Sequence, residues 1–171
     1  LKAKFVEGDA ECLPYKENEF DVILSQYGHM FAPRPSVVVK ELVRVLKPGG
    51  ILAFSTWPKE LFMGKFFKLI ESFSQPLPPE IASPVLWGDM AVIEDRLRDY
   101  FDHIEFARDT MFAPTMSPAH MLKLFEKNAG PLANLVKALA DDPAKLSNLR
   151  NAALLLIEKF FSNNFLRQDF L

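Results

Sequence analysis

The sequence is short of the residues that staple small proteins or hold metals. It has one cysteine, Cys12, and three histidines far apart in the chain. A single thiol excludes an internal disulfide and fits a reducing compartment, so a cytoplasmic protein is the expectation. Such scattered histidines offer no metal-ligand spacing, and no metal site is expected. No apolar run approaches the ~20 residues needed to cross a bilayer, and no charged segment leads into an apolar one at the start, so neither a membrane nor a signal peptide is expected. There is no excess of charge of one sign either. Twenty basic residues stand among 22 acidic ones, for a net charge of −2. Nucleic acid is therefore not an expected partner, because phosphates are neutralised by clustered Lys and Arg.

What remains is an ordinary globular composition. The chain has 171 residues, 49% of them apolar and 25% charged, enough for one domain or most of one. It starts with Leu1 directly before strand-like sequence. That reads as a fragment boundary, and equally as a processed or trimmed start.

The pattern along the chain is mixed α/β. Residues 2–8 (KAKFVEG) look β-like, and 9–19 read as a polar loop. Phe20–Ser25 (FDVILS) is a compact apolar run of the kind buried on both faces in a parallel sheet. Residues 36–46 (SVVVKELVRVL) read as a helix capped by Ser36, with Val38, Leu42, Val45 and Leu46 on one face. Lys47-Pro48-Gly49-Gly50 stops that helix, and Ile51–Trp57 is a second buried strand. Strand, helix and strand make a right-handed βαβ unit. Further on come a Phe-rich segment (62–73), a proline-rich loop (75–88), a capped helix from Asp89 to Tyr100 and a strand at His103–Arg108. From Ser117 to about Phe161 the pattern is helical, with breaks near Gly130-Pro131 and Asp142-Pro143.

Ligands of open α/β sheets bind beyond the carboxyl ends of the strands. Three segments fall there: residues 8–11 (GDAE), 25–31 (SQYGHMF) and 55–57 (STW). The run GDAECLPYKENEFDVILSQYGHMFAP, followed by ELVRVLKPGG and a strand, resembles the middle of class I S-adenosylmethionine (SAM)-dependent methyltransferases. The match is to the methyltransferase type 11, ubiquinone/menaquinone-biosynthesis group. The resemblance implies a Rossmann-like, mostly parallel sheet, partial here, with a helical C-terminal cap. It also implies SAM as cofactor and methyl transfer to a small molecule. Asp9 would contact the adenine amino group and the Ala10 N–H a ring nitrogen. Ser25, Gln26 and Tyr27 would line the methionine end, and Glu11 is a further cofactor candidate. SPVLWGD (83–89) looks like a subgroup whose proline-rich loop and helices cover the active site. The chain lacks the family's glycine-rich loop and the acidic residue that binds the ribose. The family's last strand would follow Leu171.

His29 is the catalytic candidate, since an imidazole with a pKa near ~6.5 beyond a strand end suits a general base; pocket lining and a structural role are the alternatives. Met30, Phe31, Trp57 and Trp87 are substrate-binding candidates, set against an ordinary core role. The expected division is residues 1–57 as part of the SAM-binding core. Residues 58–171 form a cap that includes one further core helix and strand (89–108). The acceptor is expected to be small and partly apolar. The missing strands suggest pairing of exposed edges with a second copy, a homodimer. Two other readings stay open: a non-catalytic ligand-binding domain on the same fold, and a nicotinamide-dependent oxidoreductase.

Overall fold

The computed structural model describes residues 2–76, 78 and 81–171. The first residue, read above as a fragment boundary, and positions 77, 79 and 80 of the proline-rich loop lie outside them. The chain forms two compact units, Leu1–Thr56 with Pro78–Phe106 and Trp57–Leu77 with Ala107–Leu171.

The first unit is built on β1 (Phe20–Gln26), α1 (Pro35–Val45) and β2 (Leu46–Ser55). The two strands are parallel, as the βαβ reading requires, with Val22 opposite Ile51 and Ser25 opposite Phe54. The helix begins one residue before the expected Ser36 cap. Arg34 takes the cap position without a side-chain bond, and Pro35 fills the first turn, where its missing N–H costs nothing. Val38, Val39, Leu42 and Val45 form its buried face. Lys47–Gly50 is not a free turn: it is carried inside β2 as an irregularity, the register jumping between Phe20–Leu46 and Val22–Ile51. Gly49, at φ 75°, supplies the left-handed residue that this bulge requires. A helix α3 (Met90–Leu97) completes the unit, capped by the Asp89 carboxylate, which accepts from the Ala91 N–H at 3.2 Å.

Two strand expectations change here. Residues 2–8 form no strand; the segment shows only an isolated bridge between Asp9 and Cys12. Nor are β1 and β2 buried on both faces. Val22 is 49% exposed, Leu24 76% and Ile51 61%. The register puts Val22 and Leu24 beside Ile51 and Ala53, so one whole face of the two-stranded sheet is open.

The second unit contains α2 (Phe62–Phe73), β3 (Asp109–Pro114), α4 (Pro118–Asn128), α5 (Gly130–Ala138), α6 (Pro143–Glu158), β4 (Phe161–Ser162) and β5 (Phe165–Phe170). The expected helix breaks fall between α4, α5 and α6. Ser117 and Asp142 cap α4 and α6, accepting from His120 N–H at 3.1 Å and Lys145 N–H at 2.9 Å. Phe62, Phe66, Ile70, Leu132, Leu149, Ile157 and Leu166 fill one closed core. Gly64 lets α2 approach its own lead-in, because a Cβ there would lie 2.2 Å from the Pro58 carbonyl oxygen.

The strand expected at His103–Arg108 lies instead at Asp109–Pro114, where it pairs antiparallel with β5, Asp109 opposite Phe170 and Pro114 opposite Phe165. Partner register, not local apolarity, decides that position. A terminal strand is likewise present before Leu171, joined to β4 through Asn163-Asn164. Both asparagines have positive φ, 49° and 62°, as a two-residue hairpin demands. Among the described residues no helix is long and apolar enough to cross a membrane.

Candidate functional site

The polar segments before and after β1 adopt three distinct constructions. The first is the turn at 9–12. Asp9 is exposed, and its Oδ1 accepts the Glu11 N–H at 2.9 Å while its carbonyl accepts the Cys12 N–H at 3.0 Å. Such an Asx turn fixes the carboxylate at the tip of the loop. Glu11 is not a solvated loop residue: its side chain is 5% exposed. Its carboxylate accepts from Arg34 N–H at 2.6 Å and Arg34 Nε at 2.7 Å, tying the turn to the start of α1. This pairing pushes the Arg34 guanidinium pKa further up.

A second clasp holds the loop from below. Glu41 Oε2 accepts the Leu13 N–H at 2.8 Å, and Arg44 donates to the carbonyls of Tyr15 and Leu13 at 2.8 and 3.1 Å while pairing with Glu41 at 2.7 Å. The hydrogen bond from Arg44, followed by that from the Leu13 N–H, brings the Glu41 carboxyl down to about 2. On the sequence, Glu41 and Arg44 are merely the polar side of an amphipathic helix. Their i, i+3 spacing beside a loop rich in unpaired backbone groups was the only signal.

The third construction follows β1. Tyr27 sits at φ 60°, an uncommon conformation for a bulky residue, and its N–H donates to Ser55 O at 3.2 Å. Gln26 is exposed and opposite Ser55 in the register. This sharp turn carries the chain into a short 3-10 turn at His29–Phe31. Met30 is 1% exposed and Phe31 49%.

His29 is 3% exposed. Ser25 Oγ lies 3.0 Å from its Nδ1 and accepts its backbone N–H at 3.2 Å. The ring packs against Phe54, at 4.4 Å between centroids, and edge-on to Trp87, at 4.6 Å. The near-neutral pKa expected of an unperturbed histidine is not kept. Burial, with the positive charge of Arg96 second, lowers it to about 4. At neutral pH the imidazole is uncharged and a weak base. Trp87 is 1% exposed and carries the Arg96 guanidinium over its ring at 4.4 Å. His29 Nε2, Trp87 Nε1, Arg96 Nη1 and Thr56 Oγ1 are buried without a hydrogen-bond partner among the described residues. Each such group costs about 1–3 kcal/mol, so this density marks a functional corner more readily than a structural one. Phe54 and Arg96 carried no sequence signal, one lying inside a strand pattern and the other on a capped helix.

The structure brings several of these residues together. A groove of about 390 Å³ is lined by Ala10, Ser25, Gly28 and His29, with apolar walls from Leu13, Leu24, Val38 and Leu42 among others. Trp87 adjoins His29. Trp57 is buried at the start of the second unit. Among the described residues no group of His, Cys, Asp and Glu could hold a metal ion.

Residues 1–54 match the family model described as a methyltransferase domain. An uncharacterized protein of Mycobacterium tuberculosis is 29% identical over 172 residues, covering all of this chain and 63% of the relative. The ubiquinone/menaquinone biosynthesis C-methyltransferase of Azotobacter vinelandii is 38% identical over 77 residues, 43% of this chain and 30% of that enzyme. The chain thus spans 63% of the length of the first curated relatives it matches. A crystal structure from Bacillus halodurans, provisionally assigned as a methyltransferase, superposes with a TM-score of 0.54 at 15% identity, covering 98% of this chain and 74% of that one. This likeness shows the fold, a Rossmann-like α/β arrangement with helices. The turn at 9–12, β1, α1, all but the last residue of β2 and the bulge before Ile51 lie within residues 1–54, the part of the chain that is similar to a methyltransferase domain.

Proposed function

We propose that this sequence serves an enzyme that transfers a methyl group from SAM to a small, partly apolar acceptor. The observation that carries the reading is the groove itself. It joins Ala10, from the acidic turn, to Ser25, Gly28 and His29, from the turn after β1. Those two turns are separated in sequence and meet at the carboxyl end of a parallel strand, where α/β proteins bind ligands.

The residues present fit two ends of SAM. The exposed Asp9 carboxylate, held by its own turn, suits the adenine amino group, and the Ala10 N–H a ring nitrogen. Backbone at Ser25–Tyr27 suits the methionine end. Among the described residues lining the groove none is acidic, so the ribose hydroxyls find no carboxylate partner there. When bound, the cofactor supplies an electrophilic methyl group on a positively charged sulfur. The chain's own residues orient and exclude water: the Glu11–Arg34 and Glu41–Arg44 pairs keep the 9–15 loop in place, and the apolar groove walls desolvate what enters. His29, neutral at pH 7, lines the site and orients a polar group through Nε2. It is not poised as a strong base.

The test is a calorimetric titration of SAM into the chain, with circular dichroism to confirm folding. Asp9→Ala should weaken binding at least tenfold, ~1.4 kcal/mol. A folded chain that takes up no SAM would remove methyl transfer as an activity of this chain alone. The largely apolar groove favours one second reading, a binding domain for an apolar ligand. Tight uptake of such a ligand without SAM affinity would select it. The nicotinamide reading loses its support, because residues 1–54 match a methyltransferase domain.

A further inference from the structure

We propose that the corner formed by His29, Trp87 and Arg96 binds an oxyanion carried on an apolar frame, either a carboxylate or an ionised hydroxyl. That this oxyanion belongs to the methyl acceptor rests on the function proposed above; the oxyanion site itself does not.

Three buried nitrogens lack partners among the described residues: His29 Nε2, Trp87 Nε1 and Arg96 Nη1. They come from three different elements, the turn after β1, the short turn Pro84–Gly88 and α3. Yet their side chains adjoin. The His29 and Trp87 rings are 4.6 Å apart, and Arg96 Cζ lies 4.4 Å from the indole centroid. An indole and a guanidinium can only donate. Ser25 Oγ already accepts the His29 backbone N–H, so its own hydrogen is free for His29 Nδ1. We assign the tautomer in which that hydrogen goes to Nδ1, which makes Nε2–H a third donor. No acceptor among the described residues is bonded to any of the three atoms.

The charge balance points the same way. Arg96 is half-buried, and burial lowers its pKa, opposed only by Asp95. Asp95 is itself paired with Arg98 at 2.8 Å on the surface. The corner therefore holds a cation with little negative charge beside it. A neutral carbonyl would satisfy one or two donors and leave the charge. An oxyanion has lone pairs for all three and offsets the cation. The surroundings set the rest of the ligand. Phe54 packs at 4.4 Å from the His29 ring and 5.6 Å from the Trp87 ring, so what adjoins the charged end is aromatic and an apolar frame suits it. Arg96 is the member that reaches solvent, and movement of its flexible side chain off the indole opens the way in.

The experiment uses nuclear magnetic resonance on the whole chain. Two tryptophans give two indole N–H signals, and Trp87→Phe assigns them. The probes are benzoate, 4-nitrophenolate at a pH where it is ionised, and benzamide as the neutral analogue. An anion should shift the Trp87 signal and leave Trp57 in place, and benzamide should bind at least tenfold more weakly. Response to benzoate alone identifies a carboxylate site, and response to nitrophenolate alone an ionised-hydroxyl site. Arg96→Gln should weaken the responding anion at least tenfold and leave benzamide unchanged. Equal affinity for benzamide, or no response of Trp87 to either anion, overturns the proposal. These comparisons are made on the unmutated chain and stand even if the variant does not fold. A folded Arg96→Gln chain that keeps full anion affinity overturns it too. SAM titrated into the same samples separates the two readings. Anion binding without SAM binding keeps this site and removes the methyl-transfer reading, whereas SAM binding without an anion response does the reverse.

Discussion

The two units of this chain are held in different ways. The second closes its own core. Twelve buried residues from α2, α4, α5, α6, the end of α5 and β5 form one cluster, and every layer it needs comes from within a single unit. The first leaves one face of a parallel pair open, with Val22, Leu24 and Ile51 at 49%, 76% and 61% exposure. It still buries Val38, Val45, Trp87 and Ile93, and ion pairs and backbone bonds around the 9–15 loop add to that packing. The difference reflects how the elements find partners. Amphipathic helices bury their stripes against sequence neighbours, whereas parallel strands depend on strands and layers brought from far along a chain. The candidate site residues, Trp57 apart, lie in the unit with the less complete core, where four buried polar atoms have no partner among the described residues.

The comparison can be broken by substitution. The largest effect is expected at Phe66, 1% exposed and packed against Phe62 and Phe125 at 5.6 and 5.0 Å. Phe66→Ala should destabilise by about 3–5 kcal/mol in denaturant unfolding. A loss below about 1 kcal/mol would mean the core is not closed as described.

Next is the clasp that holds the first unit's loop. Glu41→Gln removes charged hydrogen bonds to Arg44 and Leu13 and should cost about 1.5–3 kcal/mol at pH 7. Its folded pKa is depressed from 4.5 to about 2. The clasp's stabilisation is therefore complete above the ordinary value and fades as the pH falls from there through about 2. Stability of the variant, followed by chemical denaturation at several acid pH values, should lack that slope. An unchanged slope would assign it to other carboxylates.

A smaller effect is expected at the hairpin. Asn164→Val places a β-branched residue at φ 62° and should cost about 1–2 kcal/mol, while Asn164→Gly should be nearly neutral. Thermal melts of both variants distinguish backbone strain from a lost side-chain contact, since only the latter would penalise glycine equally. The smallest effect is expected on the open sheet face. Leu24→Ser should change stability by less than about 0.5 kcal/mol, and a loss comparable to that of Phe66→Ala would show that this face is covered in solution.

Much of this arrangement was legible in the residues. The helix at 35–45 follows from apolar spacing, and the helix starts at Ser117-Pro118 and Asp142-Pro143 follow from local capping chemistry. The polar turns at strand ends were visible as interruptions of apolar runs. Asn163-Asn164 was a hairpin signal in plain sight, hidden only by the strong helical pattern before it. The strand at 109–114 was misplaced by six residues because its position depends on β5, more than fifty residues away. The cofactor candidates Asp9, Ala10, Glu11, Ser25, Gln26 and Tyr27 came from a resemblance, and only Ala10 and Ser25 of these line the groove.

By itself the sequence determined the local periodicities, the caps, the βαβ unit and the family motif, because each of these depends on residues within a few turns of one another. The tertiary structure decided three things. It set which face of β1 and β2 is covered, it bound Glu11 to Arg34, and it enclosed His29 between Phe54, Trp87 and Arg96. The physical reason is desolvation. A side chain's charge state and unmet hydrogen bonds are set by which distant residues exclude water from it, and no local pattern records that.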